Sequence, residues 1–143
     1  MSTELLNMPI VLVEDNPVDL DLTIRAFKKR KLSNPIIVVR DGEEAIELFN
    51  SWAVNAPKPV VILLDLNLPK VNGLDVLKHI RILDRFTKIP VVVLTSSSED
   101  RDIESAYEMG ANSYIIKPVD FDKFIQVAEH IEIYWSVMNQ PYN

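Results

Sequence analysis

Five short apolar runs punctuate this chain, and each is followed by a stretch whose apolar residues recur at helical spacing. The runs are Ile10–Val13, Ile36–Val39, Val60-Val61-Ile62-Leu63-Leu64, Val91-Val92-Val93-Leu94 and Tyr114-Ile115-Ile116. They are apolar and do not alternate with polar residues, which predicts strands, the run over 60–64 buried on both faces. Between the first two runs, Asn16 reads as a helix N-cap with Pro17 at the first helical position and Asp19 and Asp21 in the first turn. Leu20, Ile24 and Phe27 form its inward stripe, and Lys28-Lys29-Arg30-Lys31 closes it as a solvated end that complements the helix dipole. A second helix follows Asp41-Gly42 and carries Ala45, Ile46, Leu48 and Phe49. A connector over 51–59 with two prolines leads to the third strand. Asn72-Gly73 starts the third helix, with Leu74, Leu77 and Ile80 inward. Ser97 or Ser98, with Glu99 and Asp100, opens a fourth, on which Ile103, Ala106, Tyr107 and Gly110 share a face. A last helix runs from about 121 to 139.

Strands alternating with helices imply a parallel sheet covered on both sides. Right-handed crossovers then give a doubly wound, five-stranded α/β sheet, for which strand order 2-1-3-4-5 is a common solution. Chemistry in such folds gathers at the carboxyl ends of the strands. Those ends carry Glu14-Asp15, Asp65, Thr95 and Lys117. In that order the ends of strands one and three are neighbours, so Glu14, Asp15 and Asp65 converge.

Three carboxylates in one crevice repel, and either one takes up a proton or a cation sits among them. Oxygen ligands without His or Cys favour Mg²⁺ over zinc, with Mn²⁺ as an alternative. Asp15 and Asp65 are expected to bind it directly and Glu14 through water, with the backbone carbonyl of Asn67 as a further ligand. A carboxylate can act as a nucleophile toward phosphorus. Lys117 and Thr95 would then bind phosphoryl oxygens, and a cis Lys117–Pro118 bond would help aim the ammonium. Singly, each residue has a blander role as turn, cap, strand-end hydroxyl or surface lysine; the conjunction on four strand ends carries the reading. His79 and His130 have no paired metal spacing, and Trp52 and the methionines read as packing residues.

The bulk properties narrow the field. With 143 residues, 48% hydrophobic and 25% charged, the chain is expected to be one ordinary globular domain. A formal charge of −6 argues against general nucleic-acid binding. No cysteine is present, so thiol chemistry and disulfides are excluded. No run approaches the ~20 apolar residues of a membrane span. Without a secretory signal at the N-terminus, a cytoplasmic location is the expectation. The absence of a Gly-rich Gly-Lys-Ser/Thr segment excludes a P-loop nucleotidase.

Val11-Leu12-Val13-Glu14-Asp15-Asn16, Leu63-Leu64-Asp65-Leu66-Asn67-Leu68-Pro69 with Asn72-Gly73, Val93-Leu94-Thr95-Ser96 and Ile116-Lys117-Pro118 together resemble the receiver domain of two-component response regulators. The resemblance covers nearly the whole chain, and Gly110-Ala111 fits it too. It implies a flavodoxin-like domain over 9–143 after an N-terminal tail of 1–8, with no output domain. Asp65 would accept a phosphoryl group from a sensor histidine kinase or phosphotransfer protein. Glu14, Asp15, Asp65 and Asn67 would hold the metal, while Thr95 and Lys117 contact the phosphoryl group. Tyr114 falls at the switch aromatic coupled to Thr95. Ser96 stands where a small residue, often alanine, is usual. The Asp-Leu-Asn-Leu-Pro segment and the long connector are similar to the subgroup serving bacteriophytochrome-type kinases.

With no output domain expected, the signal would leave through a surface to a downstream protein, or to a second copy across helix four, strand five and helix five. On the last helix, Phe124, Ala128, Ile131 and Trp135 form a core stripe. Val127, Tyr134 and Met138 widen it and are the expected interface residues. Two other classes compete: a phosphohydrolase working through an aspartyl phosphate, for which the second acid of an Asp-x-Asp pair is missing, and a phosphate-independent interaction module, which has no need of the acidic set.

Overall fold

A computed structural model of the chain describes residues 7–138, without the side chains of 135–138. The elements are β1 (Ile10–Val13), α1 (Pro17–Lys29), β2 (Ile36–Val39), α2 (Gly42–Asn50), β3 (Val61–Leu64), α3 (Gly73–Ile82), β4 (Val91–Thr95), α4 (Asp100–Glu108), β5 (Ser113–Ile116) and α5 (Phe121–Met138). One 3₁₀ turn, Asp84–Phe86, was not expected from the sequence. The strands form a five-stranded parallel sheet in the order β2-β1-β3-β4-β5.

Because strand side chains alternate between faces, the apolar runs feed two separate cores. Val11, Val13, Ile62, Leu64, Val91 and Val93 face α2, α3 and α4, where Phe49, Leu77, Ile80 and Phe86 are fully buried. Ile10, Leu12, Val61, Leu63, Val92 and Leu94 face α1 and α5, against Phe27, Phe124, Ala128 and Ile131. Register fixes the functional edge. Val13 pairs with Val39 and Leu64, Leu64 with Val93, and Thr95 with Ile116. The residues just beyond these pairs share one end of the sheet.

Local signals set most helix starts. Asn16, Asp41 and Asn72 cap α1, α2 and α3 through their side chains. The start of α4 differs from expectation: Glu99 is the cap residue and makes no side-chain cap bond. Ser97 instead donates to Asp102 at 2.6 Å. Tyr107 does not share the buried face with Ala106. Its ring is about half exposed, and its hydroxyl accepts a hydrogen bond at 3.1 Å from the Tyr114 N–H on the edge strand β5. The Lys117–Pro118 bond is trans, and no described peptide bond is cis.

The widened stripe of α5 has an internal explanation. Val127 is buried in the protomer's own core. Tyr134 packs on that core, and its hydroxyl shares a 2.7 Å hydrogen bond with Ser113 Oγ. Val127 therefore has little surface to offer the interface expected of it, Tyr134 keeps part of its surface, and the Met138 side chain lies outside the described residues. The exposed apolar side chains nearby include Tyr107, Ile116, Val119 and Ile133. None of the described helices is long and apolar enough to cross a membrane.

At the opposite end of the sheet, Arg81 at the close of α3 collects carbonyl groups. It donates to the carbonyls of Gly110 at 2.8 Å, Phe86 at 2.9 Å and Ile89 at 2.8 Å, and to Asn112 Oδ1 at 3.0 Å. Gly110 has φ of 103°, and an added Cβ there would press on this guanidinium. Burial lowers the Arg81 pKa, and the carbonyl acceptors compensate for the lost water. Replacing Arg81 with Met should cost about 2–4 kcal/mol in urea unfolding. A loss within about 0.5 kcal/mol would contradict this role.

Candidate functional site

The ladder between β1 and β3 continues one step past the strands, through an Asp65 N–H bond to the Val13 carbonyl at 3.0 Å. That step delivers Glu14 and Asp65 side by side, 8% and 5% exposed. Leu12, Leu20, Leu63 and Leu94 form an apolar floor beneath them around a void of about 10 Å³. On the other side of β4, the Lys117 N–H donates to the Thr95 carbonyl at 2.8 Å, so the β4–β5 pairing positions the lysine.

Lys117 Nζ lies 2.8 Å from Glu14 Oε1, 2.7 Å from Asp65 Oδ2 and 2.8 Å from Asp19 Oδ2. The Glu14 carboxylate also accepts from the Asn16 N–H at 3.0 Å. Asp65 Oδ1 accepts from the Asn67 N–H at 3.0 Å, which fixes the plane of that carboxylate. Thr95 is wholly buried, and its hydroxyl has no hydrogen-bond partner. Asn67 and Ser96 are exposed and connected by a long 3.5 Å contact. Tyr114 is half-buried; its hydroxyl donates to the Ser97 carbonyl at 2.9 Å, and burial pushes its pKa up.

The loop after Asp65 depends on one glycine. An added Cβ at Gly73 would collide with the Asp65 carbonyl oxygen and lie 2.5 Å from Leu66 Cα. The Gly73 N–H donates to the Leu66 carbonyl at 2.9 Å. The N-terminus of α3 therefore abuts the backbone that carries Asp65.

Sequence and structure agree on Glu14, Asp65, Thr95 and Lys117 as neighbours at one sheet edge. They differ at two aspartates. Asp15 is exposed and outside the ion-pair cluster, whereas Asp19, read from the sequence as a dipole acid, is in it. The signal for Asp19 was available: it stands three residues after the cap Asn16, where the first helical turn brings a side chain back toward the strand end. Among the described residues no three Asp, Glu, His or Cys side chains are grouped to hold a metal ion. The ammonium lies where their charges meet. The donors are nonetheless hard oxygens, the set a Mg²⁺-type cation takes.

Burial is the largest influence on Glu14 and raises its pKa from 4.5 to about 7, against the lowering effect of Lys117 and the Asn16 N–H. Three carboxylates thus share one ammonium in a largely buried crevice. For Lys117, burial opposes the charge, but Asp19, Asp65 and Glu14 outweigh it and raise the pKa. The stabilisation from Lys117 is therefore complete at neutral pH and lost only as alkaline pH strips the ammonium.

This fold and site define an α/β receiver-type signalling domain. Residues 10–129 match the response regulator receiver domain, and the chain belongs to that family. As a member it is a phosphoacceptor in two-component signalling, with a histidine kinase or phosphotransfer protein as partner, rather than a conventional enzyme. Response regulator Rcp1 of Synechocystis sp. is 36% identical over 128 residues, 88% of this chain and 87% of the relative. The crystal structure of its Mn²⁺-bound form aligns at a TM-score of 0.80 and 33% identity, over 95% of this chain and 99% of that one. The phosphorylated cyanobacterial phytochrome response regulator RcpA aligns at 0.83 with 36% identity, over 94% and 97%. Bacteriophytochrome response regulator RtBRR aligns at 0.76 with 47% identity, over 95% and 84%.

Metal-free protein offers a test of the crevice. An acid whose pKa is raised on folding is stabilising when protonated, and stability falls as pH rises from its unfolded to its folded value. In chelator, the melting temperature of Glu14→Gln should gain on that of the wild type between pH 4.5 and about 7, then run parallel. A difference independent of pH would remove Glu14 as the cause.

Proposed function

We propose that Asp65 receives the phosphoryl group. The observation that carries this is the buried contact of Asp65 Oδ2 with Lys117 Nζ at 2.7 Å, at the sheet end that also carries Thr95, whose hydroxyl has no partner. A carboxylate, a fixed ammonium and a spare hydroxyl donor are the parts needed to attack phosphorus and hold its oxygens. An Asp65 oxygen bonds to the phosphorus of a kinase phosphohistidine while the P–N bond breaks, and the imidazole nitrogen leaves with its electron pair and takes up a proton. Lys117 and Thr95 bind the oxygens of the transferred group. The Asn67 N–H keeps the carboxylate oriented throughout.

Glu14, Asp15, Asp65 and the backbone carbonyl of Asn67 would hold Mg²⁺ or Mn²⁺. A bound divalent ion supplies the charge neutralisation that lets an anionic donor approach a carboxylate. Support comes from the oxygen-only donor set, the three carboxylates that share one ammonium and the Mn²⁺-bound form of Rcp1. A bacteriophytochrome-type kinase as donor is supported by the likeness to RcpA and RtBRR.

The response runs through Thr95 and Tyr114. When Thr95 turns to the phosphoryl group, the Tyr114 ring moves inward and its bond to the Ser97 carbonyl is remade. The α4–β5–α5 face then changes for a downstream protein or a second copy. Tyr107, Ile116 and Ile133 are exposed apolar side chains there, whereas Val127 is buried.

Incubation with acetyl phosphate and Mg²⁺, followed by intact mass measurement, should add one phosphoryl group to the wild type and none to Asp65→Asn. Chelator should abolish the gain. Equal gain by Asp65→Asn, or none by the wild type, would sink the assignment. Lys117→Ala should still gain the group, but without the change in Tyr114 ring signals that the wild type shows by NMR; an unaltered response would place the switch elsewhere.

A further inference from the structure

We infer that Asp19 is a positioning residue for Lys117, the carboxylate that keeps the ammonium at the sheet edge once Asp65 and Glu14 are otherwise engaged. The inference rests on the reading of Asp65 as phosphoacceptor.

An ammonium has three donors, and Lys117 spends all of them on Glu14, Asp19 and Asp65, at 2.8, 2.8 and 2.7 Å. Two of these acceptors belong to the proposed phosphoryl and metal set. A cation or phosphoryl group there takes over both carboxylates and frees two Lys117 donors at once. Asp19 stands outside that set, on a helix rather than a strand end. A lysine left without it would have a flexible four-carbon stem and no fixed carboxylate.

The backbone around Asp19 is built to stay. Its N–H donates to the Asn16 side chain at 3.0 Å, and its carbonyl accepts from Thr23 Oγ1 at 2.7 Å. Pro17 at the helix start fixes φ two residues earlier. The Asp19 side chain is 24% exposed against 10% for Lys117, so it stays in touch with solvent while reaching inward. A dipole acid alone has no need to reach a buried lysine. With Asp19 holding one proton of the ammonium, the other two donors are aimed at the phosphoryl oxygens.

The test uses full-length protein labelled with ¹³C at the lysine Cε. In an ordered lysine the two Cε protons give distinct NMR signals; in a mobile one they merge. Wild type should keep distinct Lys117 signals with and without Mg²⁺. Asp19→Asn should keep them in chelator, where Glu14 and Asp65 still hold the ammonium, and lose them in Mg²⁺. Phosphorylation by acetyl phosphate at saturating Mg²⁺ should slow roughly tenfold in Asp19→Asn, inside the ~10²-fold that misplacing a catalytic group by ~1 Å can cost. Asp19→Glu should restore both. Merged signals in Asp19→Asn under both conditions would mark a purely structural contact and overturn the inference. So would distinct signals with a wild-type rate in Mg²⁺. A wild type that takes up no phosphoryl group would instead count against Asp65 as acceptor.

Discussion

One buried ammonium shared by three carboxylates is the constraint around which this domain is organised. Lys117 comes from β5, Asp65 from β3, Glu14 from β1 and Asp19 from α1, so the contact closes only when all four elements are in register. A buried charge left unpaired is costly. Three carboxylates nonetheless face a single ammonium, and burial holds the Glu14 pKa above its ordinary value. The arrangement is stable enough to be a resting state and anionic enough to welcome a cation. That combination suits a site whose business is to exchange its counter-ions.

The strands were legible because their apolar runs do not alternate with polar residues; β1, β3 and β4 are buried throughout, while the edge strands β2 and β5 are only partly covered. Such runs leave no polar residue to blur the pattern, and all five fall in the expected places. Strand order was legible for a different reason: alternating units with right-handed crossovers leave few topologies. The edge residues Glu14, Asp65, Thr95 and Lys117 followed from that order. What escaped the sequence depended on angles rather than order. Asp15 and Asp19 differ by four positions, and a helix begins between them. Which of the two turns to Lys117 is decided by the entry angle of α1, not by the presence of acids.

The α5 stripe shows the same limit from the other side. Val127 and Tyr134 looked surplus because a one-sided helix needs a narrower apolar face. The core on this side of the sheet is wide, and Ser113 on β5 offers Tyr134 a polar partner that no helical pattern reveals. Tyr107 erred in the opposite direction: its phenol is drawn out over the sheet edge to meet a strand N–H. Arg81 had no sequence signal, because its partners are backbone carbonyls, which every residue has.

The sheet divides the interior into two cores that do not mix. Tyr114 packs on the α3–α4 side, while Ile115 beside it packs on the α1–α5 side. In the proposed response, motion passed from Thr95 to Tyr114 would therefore have a wall behind it. One half of the molecule can remain a rigid mount, carrying α1 and its grip on the lysine, while the other half rearranges. Such a partition lets a small domain present an altered face to one partner without disturbing the face that meets another.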